Sequence, residues 1–146
     1  MNKKFALVAT TAIGVGAALA FAMPASAGVN LQSESPGVGV LDLGKRARLD
    51  ANGAVVFAPV TVACAPGTYA YLTVKVTQAN GDSIAQGEKT RQVKPCDGRK
   101  KKVELSITPV QRPFRTGVAY GEADLNVCGS FGCTNLYDEH LITITR

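Results

Sequence analysis

The residues of this chain that could do chemistry are few. They are Cys64, Cys96, Cys128 and Cys133, one histidine at His140, Ser130, and a basic cluster around position 100. Four thiols can hold a metal or form two disulfides. Structural zinc sites use Cys-x2-Cys pairs or several histidines, and this chain has neither, so no metal is expected. An even number of cysteines in an exported chain points instead to disulfides, for which three pairings are possible. Cys128-Gly-Ser-Phe-Gly-Cys133 encloses four residues, two of them glycines suited to a turn. That pair is expected to close on itself, leaving Cys64 to Cys96. Closing the longer loop restricts the unfolded chain by about 3–4 kcal/mol in the entropy model. The shorter bridge chiefly fixes the shape of one loop. Small secreted domains also carry disulfides simply because their cores are thin.

Catalytic arrangements are sparse. His140 is placed at the start of the last strand, with Asp138 and Glu139 beside it, and adjacent strand residues point to opposite faces. A nucleophile–base pair needs a third group to orient the base, so His140 reads as a solvated strand residue. Ser130 lacks a Gly-x-Ser-x-Gly elbow, and the carboxylates lack the close pairing that glycoside hydrolysis requires. Gly37-Val38-Gly39 has neither the third glycine nor the helix of a dinucleotide site, so no cofactor is implied. A non-enzyme is expected.

The basic cluster comprises Lys94, Arg99, Lys100, Lys101 and Lys102, opposed locally only by Asp97. It can be a solvated edge that discourages strand-to-strand aggregation. Its functional reading is a contact for an anionic partner. No aromatic residues interleave it, so single-stranded nucleic acid is a poor fit.

The amino terminus sets the compartment. Lys3 and Lys4 precede an apolar stretch, Phe5 to Ala22, and Ala25-Ser26-Ala27 supplies the small residues that signal peptidase accepts. Residues 1–27 are therefore expected to be a signal peptide, cleaved before Gly28, and residues 28–146 one domain. The alternative is an uncleaved anchor, because the stretch approaches spanning length. Gly14, Gly16 and Pro24 weaken a permanent helix, and no second long apolar run follows. A secreted monomer without membrane attachment is expected. The charge of +5 falls to +3 once Lys3 and Lys4 leave, too mild to argue for nucleic acid by itself.

The elements that must position these residues read as strands. Val56, Ala58, Val60, Val62 and Cys64 share one face at the two-residue period, as do Leu72, Val74 and Val76. Val103, Leu105 and Ile107 repeat the pattern, followed by Ala119, Gly121, Ala123, Leu125 and Val127, and by Ile142 and Ile144. Turns are marked by Asn52-Gly53, Pro66-Gly67, Asn80-Gly81-Asp82 and Asp97-Gly98. These signals predict an immunoglobulin-like antiparallel sandwich of about seven strands. The strands fall near 38–49 (A), 54–64 (B), 69–78 (C), 83–95 (C′ or D), 101–108 (E), 117–128 (F) and 135–145 (G). In that order the ends of B, D and F share one pole, and the Cys64–Cys96 pairing also satisfies the B–E neighbourhood.

Several of these residues carry a resemblance. The leader, Val-Thr-Val-Ala-Cys64, Cys96-Asp97-Gly98 and the Cys128–Cys133 hairpin together resemble small exported β-sandwich proteins of high-GC Gram-positive bacteria. The Cys-x4-Cys hairpin is also similar to that of neocarzinostatin-type apoproteins, sandwiches that hold a chromophore. That family's other disulfide closes a short loop, whereas Cys64 and Cys96 stand 32 positions apart. Cys64-Ala65-Pro66-Gly67 is similar to a segment of secreted subtilisin inhibitors. The buried Trp and B–F disulfide of antibody domains are both missing.

The functional expectation is a secreted, non-enzymatic binding module. Its braced pole would carry Arg99, Lys100, Lys101, Ser130 and Phe131 to an extracellular protein or anionic envelope polymer. The alternatives are an inhibitor of an extracellular hydrolase and a structural envelope component. Phe131 either stands exposed as a preorganised aromatic or folds back to cap the sandwich.

Overall fold

The computed structural model describes residues 33–35 and 38–146. The leader and the cleavage position before Gly28 lie outside the described residues. Nine strands follow one another: β1 (Ser33–Ser35), β2 (Gly39–Leu43), β3 (Arg46–Asp50), β4 (Val55–Cys64), β5 (Tyr69–Asn80), β6 (Ser83–Val93), β7 (Lys101–Ile107), β8 (Gly117–Gly129) and β9 (Gly132–Thr145). Among the described residues the one helical piece is a 3-10 turn, Ala51–Gly53. The protein is all-β and carries two disulfides, Cys64–Cys96 and Cys128–Cys133.

The two-residue period in the sequence is realised as burial. Val56, Ala58, Val60, Val62 and Cys64 on β4 all face inward, as do Leu72, Val74 and Val76 on β5. Ala119, Gly121, Ala123, Leu125 and Val127 do the same along β8, and Ile142 and Ile144 on β9. Each inward row meets one from the opposite layer, which removes apolar surface from water at about 25 cal/mol per Å².

Hydrogen bonding links the strands in the order β1-β2-β4-β3-β9-β8-β5-β6, with β7 on the other edge of β4. β6, β5, β8 and β9 form one layer. β4 forms the other layer with β2 and β3 along one edge and β7 along the opposite edge. The layers meet face to face, outside the strand ladders, where β2 packs on β8 and β9, and where β7 packs on β5 and β6.

The first long strand departs from the sequence expectation. Residues 38–49 form two strands rather than one, so the count rises above seven. Pro59 of β4 has no N–H to give the ladder, and Gly44 takes its carbonyl instead, donating to Pro59 O at 2.8 Å. A Cβ on Gly44 would lie 2.8 Å from the Pro59 ring, so only glycine fits this approach. The chain then swings across, and Arg46–Arg48 pairs with Thr143–Thr145 of β9 in parallel. This one parallel ladder, in an otherwise antiparallel structure, ties the two layers together. The segment left open as C′ or D is β6, and it pairs with β5 along its whole length.

Candidate functional site

The disulfide pole is built by the ends of β4 and β8 and the starts of β5 and β9. Cys64 ends β4 and bonds Cys96 in the β6–β7 connection, with Cα atoms 4.9 Å apart. The Gly98 amide donates to Cys64 O at 2.9 Å, which seats the basic turn beside the β4–β5 turn. Within the basic turn, Asp97 Oδ1 accepts from the Arg99 amide at 3.1 Å. That bond, the largest influence, holds the Asp97 carboxyl below its ordinary range, with Lys101 and Arg99 adding to it. The Lys101 ammonium donates to Pro95 O and lies 3.8 Å from Asp97 Oδ1. Lys101 therefore shapes the turn, while Arg99 and Lys100 face solvent.

On the other side, Cys128 stands directly opposite Cys133 in the β8–β9 ladder, and Gly129 opposite Gly132. The hairpin thus narrows to Ser130 and Phe131 at its tip. Phe131 is fully exposed, at 106 %. The ring does not fold back onto the sandwich. A shallow hollow of about 270 Å³ lies between this tip and the β4–β5 turn, lined by Val38, Pro66, Thr68, Val127 and Phe131. All five residues predicted for the site lie at this pole: Arg99, Lys100, Ser130 and Phe131 in its turns, and Lys101 at the first position of β7.

His140 lies elsewhere and differs from expectation. It is well inside β9, which begins at Gly132, and it faces the layer interface beside Gly121. Residues two apart on a strand share a face, so Asp138, rather than Glu139, is its partner, with Oδ1 3.2 Å from Nδ1. Asp138 is buried, and its Oδ2 accepts from the Leu43 amide at 2.6 Å. This amide sits where the chain leaves β2 and points away from β4, so the carboxylate satisfies a donor that the β4 ladder does not reach. His140 Nε2 is buried without a hydrogen-bond partner. The pair holds the crossing of the first long strand. Its signal was present in the sequence as the spacing of Asp138 and His140, set against the inward face of the last strand.

The opposite pole holds an open hollow of about 630 Å³, lined by Asp50, Asn52, Phe114, Arg115, Thr116 and Arg146. Ala51, Asn52 and Gly53 there have φ of 47°, 54° and 94°. Phe114 is buried and its amide donates to Gly53 O at 3.0 Å. Gln78, also buried, exchanges two 2.8 Å bonds with the Arg115 backbone. Phe114 is part of no alternating apolar run that would mark it as core, whereas Gln78 continues the inward phase of Leu72, Val74 and Val76 as a polar residue.

No group of three or more His, Cys, Asp or Glu residues able to hold a metal occurs among the described residues. Among the same residues no helix is long and apolar enough to cross a membrane.

Fold and pole together define a small all-β sandwich with two disulfide-fixed turns side by side. No protein-family model matches the chain, and no curated protein sequence matches it. Among solved structures, it is similar to the sporulation control protein Spo0M of Bacillus subtilis, with 13 % identity and a TM-score of 0.35. That likeness covers 75 % of this chain and 50 % of Spo0M, so the chain spans about half the length of the protein it matches.

Proposed function

We propose that this protein is a secreted, non-enzymatic binding module that takes an anionic extracellular partner at its disulfide-braced pole. The observation that carries the reading is Phe131, wholly exposed at the tip of a disulfide-closed hairpin near a lysine- and arginine-bearing turn. Aromatic rings are over-represented among the residues that anchor protein interfaces, and this one is more exposed than any other large apolar side chain among the described residues. Here the disulfides fix the backbone beforehand, so binding loses less conformational freedom. Two disulfides suit an oxidising compartment and support the leader reading. The pairing of β4 with β7, and of β8 between β5 and β9, supports an immunoglobulin-like arrangement.

The test is binding of the mature protein to purified anionic wall polymer and to culture-supernatant proteins. Phe131→Ala and a double reversal, Arg99→Glu with Lys100→Glu, are expected to weaken retention at least about tenfold, or about 1.4 kcal/mol. Melting temperature is expected to stay near that of the parent, because neither substitution touches the core. Unchanged retention in both variants would place the working surface elsewhere.

A further inference from the structure

All four tyrosines of the chain lie on the solvent side of one layer. Tyr69 and Tyr71 stand on β5, Tyr120 on β8 and Tyr137 on β9, each between 38 % and 57 % exposed. Tyr69 and Tyr71 meet edge to face, with centroids 6.4 Å apart. Between the rings runs a row of charges set by the ladder register. Glu139 faces Glu122, Glu122 faces Lys75, and Lys75 faces Glu88. Asp124 lies one step along, opposite Tyr137.

Three carboxylates and one lysine in a row leave an imbalance. Lys75 Nζ sits 2.9 Å from Glu122 and its pKa is raised, first by that hydrogen bond. Glu139 is left directly opposite another glutamate, and like charges in register destabilise a sheet. Burial raises the Asp124 carboxyl, against a lowering hydrogen bond from Tyr137. A chain of net charge +5 has therefore gathered carboxylates on the one face where its tyrosines are exposed. In the other layer a cation already covers its ring, with the Arg48 guanidinium 4.3 Å from the Phe57 centroid.

We propose that this face docks an extended arginine- or lysine-bearing segment of a partner polypeptide. Its cations would lie over the tyrosine rings and against Glu88, Glu122, Asp124 and Glu139. Rings and carboxylates side by side attract a cation by two mechanisms, quadrupole and charge, where an anion meets only repulsion. A hollow of about 190 Å³ between Thr73, Glu88, Glu122 and Tyr137 has room for the end of one such side chain. Four strands about 4.8 Å apart, over the length of Tyr69 to Ala79, present about 700 Å², close to one partner's share of a standard interface. A second copy meeting this face with its own would set carboxylate against carboxylate, so a symmetric dimer does not use it. The face is separate from the braced pole and its occupant has the opposite charge, so either proposal can fail alone.

The experiment is a ¹⁵N titration of the mature protein, at low salt, with a capped peptide of alternating arginine and glycine. Its citrulline counterpart is the uncharged control. The arginine peptide is expected to shift the amides of Thr73, Glu122, Asp124 and Tyr137, and the citrulline peptide to shift none. Glu122→Gln with Glu139→Gln removes the in-register repulsion, so it folds, and it is expected to weaken the titration about tenfold. Tyr71→Ser with Tyr137→Ser is expected to weaken it further at raised salt, where charge alone is screened. Equal response to both peptides, shifts confined to the disulfide pole, or parent-like binding by both variants would overturn the proposal. Concentration-dependent shifts of this face without peptide would assign it to a second copy, and would overturn it equally.

Discussion

Two phenylalanines mark the difference between the poles of this sandwich. Phe131 at one pole is 106 % exposed, and Phe114 at the other is 1 % exposed. The first pole owes its shape to covalent bonds: Cys64–Cys96 ties the basic turn to β4, and Cys128–Cys133 closes the β8–β9 hairpin. It therefore needs no plug from the core, and its aromatic ring is free to face outward. The second pole has no disulfide. Its long β7–β8 connection is held by Phe114 in the core, by Gln78 on the Arg115 backbone, and by Asn80 Nδ2 on Pro113 O at 3.2 Å. A cross-link acts mainly on the unfolded chain, whereas a packed ring acts on the folded one. Covalent bracing leaves side chains available for a partner, while packing consumes them.

The sharpest way to break that comparison is to exchange the fates of the two rings. Phe114→Ala is expected to cost about 3–5 kcal/mol, read from urea unfolding, because it empties a fully buried site. Phe131→Ala is expected to stay within about 0.5 kcal/mol of the parent. Equal losses would mean that the hairpin tip is packed after all.

A smaller effect separates covalent from packed bracing. Cys64→Ala with Cys96→Ala is expected to lower stability by about 3–4 kcal/mol, and the Cys128–Cys133 pair by about 2 kcal/mol, following loop length. Reducing agent applied to the parent protein is expected to reproduce the sum of the two, within about 1 kcal/mol. A larger loss from the short loop would show that the hairpin tip organises the sandwich.

The smallest effect concerns an aspartate at each pole. Asp50 Oδ1 accepts from the Ala51 amide at 2.7 Å, and Asp97 Oδ1 from the Arg99 amide. Each bond, with neighbouring Arg or Lys charges, holds its carboxyl below the ordinary 3.8. A depressed folded pKa contributes stability that is present above the unfolded value and is lost as pH falls through the folded one. Both turns are thus expected to loosen below about pH 4, seen as lower protection of the Ala51 and Arg99 amides relative to their intrinsic exchange at each pH. Asp50→Asn and Asp97→Asn should each flatten that dependence at their own pole alone. Loss at both poles from one substitution would show that the poles are coupled.

The sequence alone determined the strands and their inward faces, because burial repeats every two residues and leaves an alternating record in Val56–Cys64 or Leu72–Val76. It also determined the disulfide pairing, since Cys128 and Cys133 are too close in sequence to be better served elsewhere. The pole that gathers Arg99, Lys101 and Phe131 followed from strand direction and turn count. Tertiary structure decided the remainder. Whether Phe131 caps the core or meets water depends on the room beneath the hairpin, which no local pattern encodes. Phe114 sits outside any alternation, and Gln78 holds the inward phase of β5 as a polar residue, so only the closed β7–β8 connection shows what each of them packs against. The Asp138–His140 pair took its meaning from Leu43, whose amide lies 95 positions away in the chain, where the first long strand breaks. That break needed Pro59 and Gly44 to meet across two strands. Local periodicity records which side of a strand is buried. Contacts between residues far apart in sequence record what fills the gaps, and those exist only once the layers have closed.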